Sequence, residues 1–294
     1  MAKSKTGGSR AYIRGRIGSD VYSIGKDGKG KKQQVVRSLA ESVANPQTAA
    51  QMTGRMIMST IAQAVAALRP IIDHSFDNVS GRQPNISEFT RLNYALIKAD
   101  VEAHPSSGNE FGLVKYQEKG VKSGTYQVSK GDIAVPTAIT FVDAAGSFQI
   151  ALASGATTIA DLKAALGFNS AEGYVTFIGL SSLEPQCQYA RLSVADTLAD
   201  DTSITSSNIG QVFNVEGNVT PGITFSSNNI TIVLKNNAIP SCGGFVMSDK
   251  VQGAWKHSSC KLVKRSSSTL NYNAATALPT YPQGENFYLN GGEL

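Results

Sequence analysis

From residue 45 onward the chain carries one continuous apolar seam. Ala50, Gly54, Ile57, Ile61, Ala64, Leu68 and Ile71 recur at alternating spacings of four and three, the period of one helix face. Met52, Met56 and Val65 widen that face. Asn45 is placed to accept from the open amides of a first turn. Pro46 suits the first helical position, where no donor is needed. Pro70 predicts a kink, or a stop near Arg69, with Ile71-Ile72 continuing beyond it. The seam is narrow and lined by small residues, so a partner can approach it closely.

A second helix is predicted from about residue 86. Asn85 and Glu88 have the spacing of a capping box. Phe89, Leu92, Ala95 and Leu96 form its stripe, and Gly81 and Pro84 fall in the connection. Residues 45–108 therefore read as a helical hairpin.

Beyond His104-Pro105-Ser106-Ser107-Gly108 the period shortens from helix to strand. Candidate strands are Leu113–Tyr116, Gly124–Val128, Ala138–Val142, Phe148–Leu152, Tyr174–Leu180, Ala190–Val194, Val212–Val215, Ile230–Leu234 and Phe245–Ser248, with turn residues between most of them. One short helix interrupts the series, capped by Thr158, supported by Asp161 and ended by Gly167. Residues 109–270 read as a β-rich, sandwich-like body, and the fold class is α+β. Residues 271–294 read as an extended tail. Its Tyr272, Tyr281, Phe287 and Tyr288 predict docking onto the body or a neighbour.

Residues 1–44 differ from the rest. They hold seven glycines and little apolar content. Ala11-Tyr12-Ile13 and Val21-Tyr22-Ser23-Ile24 are short candidate strands, pairing through Gly18-Ser19-Asp20. Such an arm is expected to be disordered or laid across a partner.

Composition adds a charge asymmetry. The chain has 294 residues and a net charge of +5. Residues 1–37 hold ten basic and two acidic residues, a charge of +8, and the remainder holds 17 basic and 20 acidic, a charge of −3. A basic arm on a mildly acidic body points to a polyanion or to an acidic neighbouring subunit. Charged residues are only 17% of the chain, against about a quarter in ordinary domains. A low-charge surface suits packing against neighbours, and an ordinary β-rich protein with hydroxyl-rich strands has the same composition. Hydrophobic residues, at 41%, suffice for a core.

No stretch of about 18 apolar residues predicts a membrane span, and the basic N-terminus has no apolar run behind it to make a signal peptide. Cys187, Cys242 and Cys260 are odd in number and lack metal-ligand spacing. Cys242 and Cys260 could pair on adjacent strands, but reduced thiols in a cytoplasm are the stronger expectation.

Candidate chemistry is sparse. His74 lies near a helix end, His104 before Pro105, and His257 beside Trp255; none accompanies a nucleophile elbow or a zinc-type pair. The run Gly25-Lys26-Asp27-Gly28-Lys29-Gly30-Lys31-Lys32 lacks the ending of a phosphate-binding loop and reads as a flexible basic turn. Asp200-Asp201 sits in a Ser/Thr-rich loop. No catalytic residue, cofactor or metal is expected, and no small-molecule substrate.

The distinctive groups are instead the arm cations Arg10, Arg14, Arg16, Lys26, Lys31, Lys32 and Arg37, with Gln47, Gln51 and Arg55 on one helical stripe at four-residue spacing. These are candidate interface residues. A competing use of the same cations is phosphate contact with DNA or RNA.

The segments Ile24-Gly25-Lys26, Val35-Val36-Arg37 and Asn45-Pro46-Gln47-Thr48-Ala49-Ala50-Gln51-Met52-Thr53-Gly54-Arg55 resemble a structural protein family of gut Bacteroidetes and their tailed phages. Ser87–Asn93, Gly243–Ser248 and Gly253–Ser259 are similar to later stretches of that family. The resemblance spans residues 20–100 and 240–265. It implies a virion protein of a crAss-like podovirus: a ring or collar at the portal vertex, a tail component, or a capsid-associated protein. It implies assembly in the host cytoplasm with copies of itself and other virion proteins, and it carries no catalytic residues.

Overall fold

The computed structural model describes residues 3–5, 12–26, 28, 30–38, 49–77, 79, 81–103, 124–181, 186–234 and 239–265. The predicted strand at 113–116 and the tail 271–294 lie outside them. The chain divides into two compact units, Met1–Gln47 and Thr48–Leu294.

The first unit is a four-stranded antiparallel meander of β1 (Lys3–Lys5), β2 (Tyr12–Ile17), β3 (Asp20–Lys26) and β4 (Lys32–Ser38). The two short strands expected to pair through Gly18-Ser19-Asp20 are present, and β1 and β4 extend them to a sheet, in place of the disordered alternative. The β2–β3 pair turns where predicted, with Ile17 opposite Asp20 and Gly18 at φ +60°, a left-handed conformation that costs glycine little. What the sequence hid was β4. It pairs with β3 over seven positions, from Asp20 opposite Ser38 to Lys26 opposite Lys32. Tyr22 and Ile24 on β3 and Val35 and Val36 on β4 favour the pleated backbone.

The second unit opens with α1 (Ala49–Ile72) and α2 (Arg82–Ala103). The strands and short helices that follow are β5 (Gln127–Ser129), β6 (Ile139–Val142), β7 (Ser147–Ala151), α3 (Ile159–Leu166), β8 (Tyr174–Leu180) and β9 (Gln188–Val194). Then come α4 (Ile209–Val212), β10 (Phe213–Gly217), β11 (Gly222–Ser226), β12 (Asn229–Val233) and β13 (Cys242–Val251). The described chain closes with β14 (Ala254–His257), β15 (Cys260–Lys261) and β16 (Val263–Lys264). The fold is mixed α+β and rich in antiparallel strands.

A central sheet runs β10-β9-β8-β13-β14, with β16 joined to β13, and a second sheet runs β11-β12-β7-β6. The central sheet carries a core on each face, and the pleat explains how. On β8, Val175 and Phe177 point one way, into a core shared with Phe148, Ile150, Ile230 and Ile232 of the second sheet and Leu162 and Leu166 of α3. Ile178 and Leu180 point the other way, into a core shared with α1 and α2. The result is three layers: helical hairpin, central sheet, second sheet.

The α1 seam is consumed by this packing. Ile57, Ile61, Ala64, Leu68 and Ile71 are each at most 4% exposed. The expectation that the seam receives a partner subunit is therefore corrected: the chain's own sheet lies against it. Full burial of one such aliphatic side chain is worth about 1.5–3 kcal/mol, so an uncovered sheet face has a strong claim on the seam.

One helix boundary is decided by the structure and one differs from expectation. The Asn45–Thr48 start lies outside the described residues. At the other end, of the two outcomes expected at Pro70, α1 takes the continuation and runs through Pro70 to Ile72. Ile71 and Ile72 are buried and hold the last turn on the core. The disturbed carbonyls there find partners beyond the ladder: Ala67 accepts the Cys187 amide at 2.9 Å, and Ile71 accepts the Ser75 hydroxyl. For α2, the capping box at Asn85 and Glu88 does not form. The helix starts at Arg82, about four residues earlier, with Pro84 in its first turn, where a missing amide costs nothing. Asn85 donates its side-chain amide back to the Gly81 carbonyl at 2.7 Å, and Glu88 pairs with Arg91. The α3 boundaries match the sequence reading, with both halves of the Thr158–Asp161 capping box present and Gly167 left-handed at the end.

Among the described residues no helix is long and apolar enough to cross a membrane.

Candidate functional site

Of the sequence-derived interface residues, Arg10 and Gln47 lie outside the described residues, and Arg14 is placed only through the backbone of β2. The structure brings five others together on the N-terminal sheet. Register aligns Arg16 with Val21, and Val21 with Arg37, so the two arginines share one sheet face across three strands. Arg16 donates Nε to the Gly18 carbonyl at 2.8 Å, which braces the turn. Lys26 and Lys32 stand opposite each other at the far end, and Lys31 adjoins them. Like charges directly opposed across strands are unfavourable. Gln51 and Arg55 occupy the opening turns of α1, in the other unit.

The most exposed element is β4. All seven residues from Lys32 to Ser38 are exposed, including Val35 at 37% and Val36 at 51%. β4 ends its sheet, so one side of its backbone is an open edge among the described residues.

A second site was not legible as such in the sequence. The helix-facing side of the central sheet is only half covered by the hairpin. Ile178, Leu180 and Val246 lie under the helices. Further along the same face register aligns Glu216 with Arg191 and Arg191 with Thr176, then Tyr174 with Ser248 and Ser248 with His257. This half carries aromatic and charged groups and opens into a cleft of ≈ 460 Å³, walled on one side by His74, Asp77 and Gly81 of the α1–α2 connection and by Asn85 of α2. A hollow of ≈ 220 Å³ continues from it past Arg191 and Trp255 toward Glu172 and Glu216.

Hydrogen bonds tie the cleft walls together. The Asp77 carboxylate accepts the His257 amide at 3.0 Å and the Asp132 amide at 3.3 Å, and Lys256 Nζ stands 3.9 Å away. His257 is buried, and its Nδ1 lies 2.9 Å from the Ser248 hydroxyl. Burial holds its pKa below the ordinary histidine value; Asp77 opposes that shift, while the charges of His74, Arg191 and Lys256 reinforce it. Trp255 and Tyr174 pack at 5.3 Å between ring centroids, tilted by 53°. The Arg191 guanidinium lies 5.4 Å over the Tyr174 ring and 6.0 Å over the Tyr189 ring.

Two polar atoms in the cleft walls have no hydrogen-bond partner: Arg191 Nε and Asn85 Oδ1, both buried at the atom. Among the described residues Arg191 forms no ion pair, although Glu216 is its register neighbour. A sequence signal existed. In Tyr189-Ala190-Arg191-Leu192-Ser193-Val194 the small and apolar residues alternate with aromatic, cationic and hydroxyl ones, the pattern of a strand with one uncovered face. Trp255 was visible beside His257, but the pairing that brings it to Tyr174 was not.

Among the described residues no three His, Cys, Asp or Glu side chains are placed to share a metal ion. His74 and His257 are brought to one cleft, while Asp200 pairs with Lys163 at 2.7 Å on the surface, away from both. None of the three cysteines is in a disulfide, and all are buried. Comparison of the chain with protein-family models, with curated proteins and with solved structures found no match.

Proposed function

We propose that this chain is a non-enzymatic structural subunit of a tailed-phage particle, assembling with copies of itself into a ring or collar through its N-terminal sheet. The observation that carries the assembly part is β4: a seven-residue edge strand, exposed along its length, presenting Val35 and Val36. An exposed edge with apolar side chains is a template for another strand unless the protein uses it. A second copy of the chain supplies a matching edge, with Lys26 and Lys32 set against acidic groups of the neighbouring body. The virion setting is supported by the resemblance over residues 20–100 and 240–265.

The test is incorporation. A Val35→Lys, Val36→Lys double variant keeps a strand-compatible backbone but charges the edge. It is expected to be absent from purified particles while its circular dichroism matches the parent. Incorporation at the parent level contradicts the proposal.

Arg16 and Arg37 on one face also favour a second reading, in which the sheet lies on nucleic acid. That reading requires binding to duplex DNA at low salt, with affinity falling steeply as salt rises.

A further inference from the structure

We infer that the cleft between the α1–α2 connection and the open half of the central sheet is a binding site for an uncharged saccharide, with Trp255 as its platform. Four observations converge on that chemistry.

Trp255 is 43% exposed and stands at the cleft mouth against Tyr174. A large aromatic left in water beside a second aromatic offers a flat apolar face, the surface on which the C–H side of a sugar ring packs. Arg191 is fixed between two tyrosine rings and holds an unpaired Nε donor. Asn85, only 2% exposed, holds an unpaired Oδ1 acceptor on the helical side of the same cleft. A buried donor and a buried acceptor without partners each cost free energy that a ligand group can recover. Hydroxyl groups serve both, because each donates once and accepts twice.

Charge then selects against an anionic ligand. Arg191 is cationic, but Asp77 and Glu216 line the two connected hollows with it, and Glu172 is already engaged by Lys250 at 3.1 Å. A phosphate or carboxylate drawn to Arg191 would meet these carboxylates. A neutral polyhydroxylated ring meets the guanidinium, the amide and the carboxylates alike as hydrogen-bond partners. The site lies in the unit beginning at Thr48 and does not depend on how the N-terminal sheet is used.

The chain contains a single tryptophan, so its fluorescence reports on this cleft alone. The full chain would be titrated with glucose, galactose, mannose, N-acetylglucosamine, rhamnose and fucose, and with disaccharides and trisaccharides built from them. Inorganic phosphate and glucuronate serve as anionic probes. The expected result is a saturable shift of Trp255 emission with at least one neutral sugar, unchanged by salt because no net charge is neutralised. In calorimetry, Trp255→Ala and Arg191→Leu should each weaken that binding by about tenfold or more. Trp255 is exposed, so its alanine variant retains the fold even if the arginine variant does not. A flat response across the neutral panel overturns the inference. So does a response confined to phosphate or glucuronate, or calorimetric binding that Trp255→Ala leaves intact.

Discussion

Asn93 and Gln127 exchange two hydrogen bonds: Asn93 Nδ2 donates to the Gln127 carbonyl at 3.0 Å, and the Gln127 amide donates to Asn93 Oδ1 at 2.8 Å. Nδ2 also donates to the Phe89 carbonyl at 2.9 Å. Asn93 is fully buried, so its amide gives β5 on the sheet side an extra partner and fixes where α2 docks. Replacing it by leucine strands the Gln127 backbone pair away from water. Asn93→Leu is expected to cost about 2–4 kcal/mol, read as a lower urea midpoint, against under about 1 kcal/mol for a surface control such as Lys98→Ala.

Asp249 makes a second such anchor. Its carboxylate accepts the Asn169 amide at 2.5 Å, the Ser170 amide at 3.2 Å, the Ser170 hydroxyl at 2.6 Å and the Lys250 amide at 2.8 Å. Burial alone would raise its pKa. The bonds from Ser170, Asn169 and Lys250 together outweigh burial and hold the carboxyl below its ordinary value. Asp249→Ala leaves those donors without an acceptor and should lower stability by about 2–4 kcal/mol in urea unfolding.

The pH dependence follows from opposite groups with the same sign. His257 is kept neutral in the folded chain, so the unfolded chain binds a proton first as pH falls through the ordinary value of 6.5. Its stabilising contribution is complete above that value and declines below it, down to the folded pKa. Asp249, with a folded pKa lowered from 3.8, adds a second loss below that ordinary value. Urea unfolding is therefore expected to show a decline between about pH 7 and 5 that His257→Asn flattens, and a separate acid decline that it does not.

Gly131 lies in a loop that passes against the end of β14 at His257. A Cβ built there falls 2.1 Å from the His257 carbonyl oxygen and 2.7 Å from Asp77 Oδ2. Both neighbours are fixed, one as backbone and one by its bonds to the His257 and Asp132 amides. Gly131→Ala is expected to cost about 2–3 kcal/mol in thermal or urea unfolding and to loosen the cleft wall at Asp77.

The thiols provide a direct check on the core. Burial pushes the Cys187 and Cys260 thiols up to about 12, so neither is a thiolate at neutral pH. An aromatic disulfide reagent should find almost no reactive thiol in the folded chain and all three cysteines in urea without reductant. Fewer than three in urea would show a disulfide where the structure has none.

Much of the fold was readable where one local signal dominated. Thr158, Asp161 and Gly167 specify α3 because capping and termination are settled within a few residues. Tyr174–Leu180 reads as a strand because its apolar run is buried on both faces. Legibility stopped where tertiary burial decides between local alternatives. Pro70 leaves a stop and a kink equally open, and the burial of Ile71 and Ile72 carries α1 past it into the core. Hairpins whose turns lack glycine at the first position were also hidden. Ser227-Asn228 joins β11 to β12 with φ of 50° and 60°, and Gln252 starts the β13–β14 turn at 52°, conformations that non-glycine residues rarely adopt. The second of these hairpins is the one that presents Trp255, which is why the cleft could not be assembled from sequence spacing alone. The basic arm was visible by charge, but β4 was not, because Val35 and Val36 sit between Gln34 and Arg37 and give no strong alternation.

Native mass spectrometry of the full chain tests the central claim most directly. An assembly subunit whose β4 edge receives a second copy should give a defined multiple of the 31.0 kDa chain mass, reverting to a single chain in the Val35→Lys, Val36→Lys variant. A mass of one chain for the parent at every concentration, or an oligomer that the double variant leaves unchanged, would contradict it.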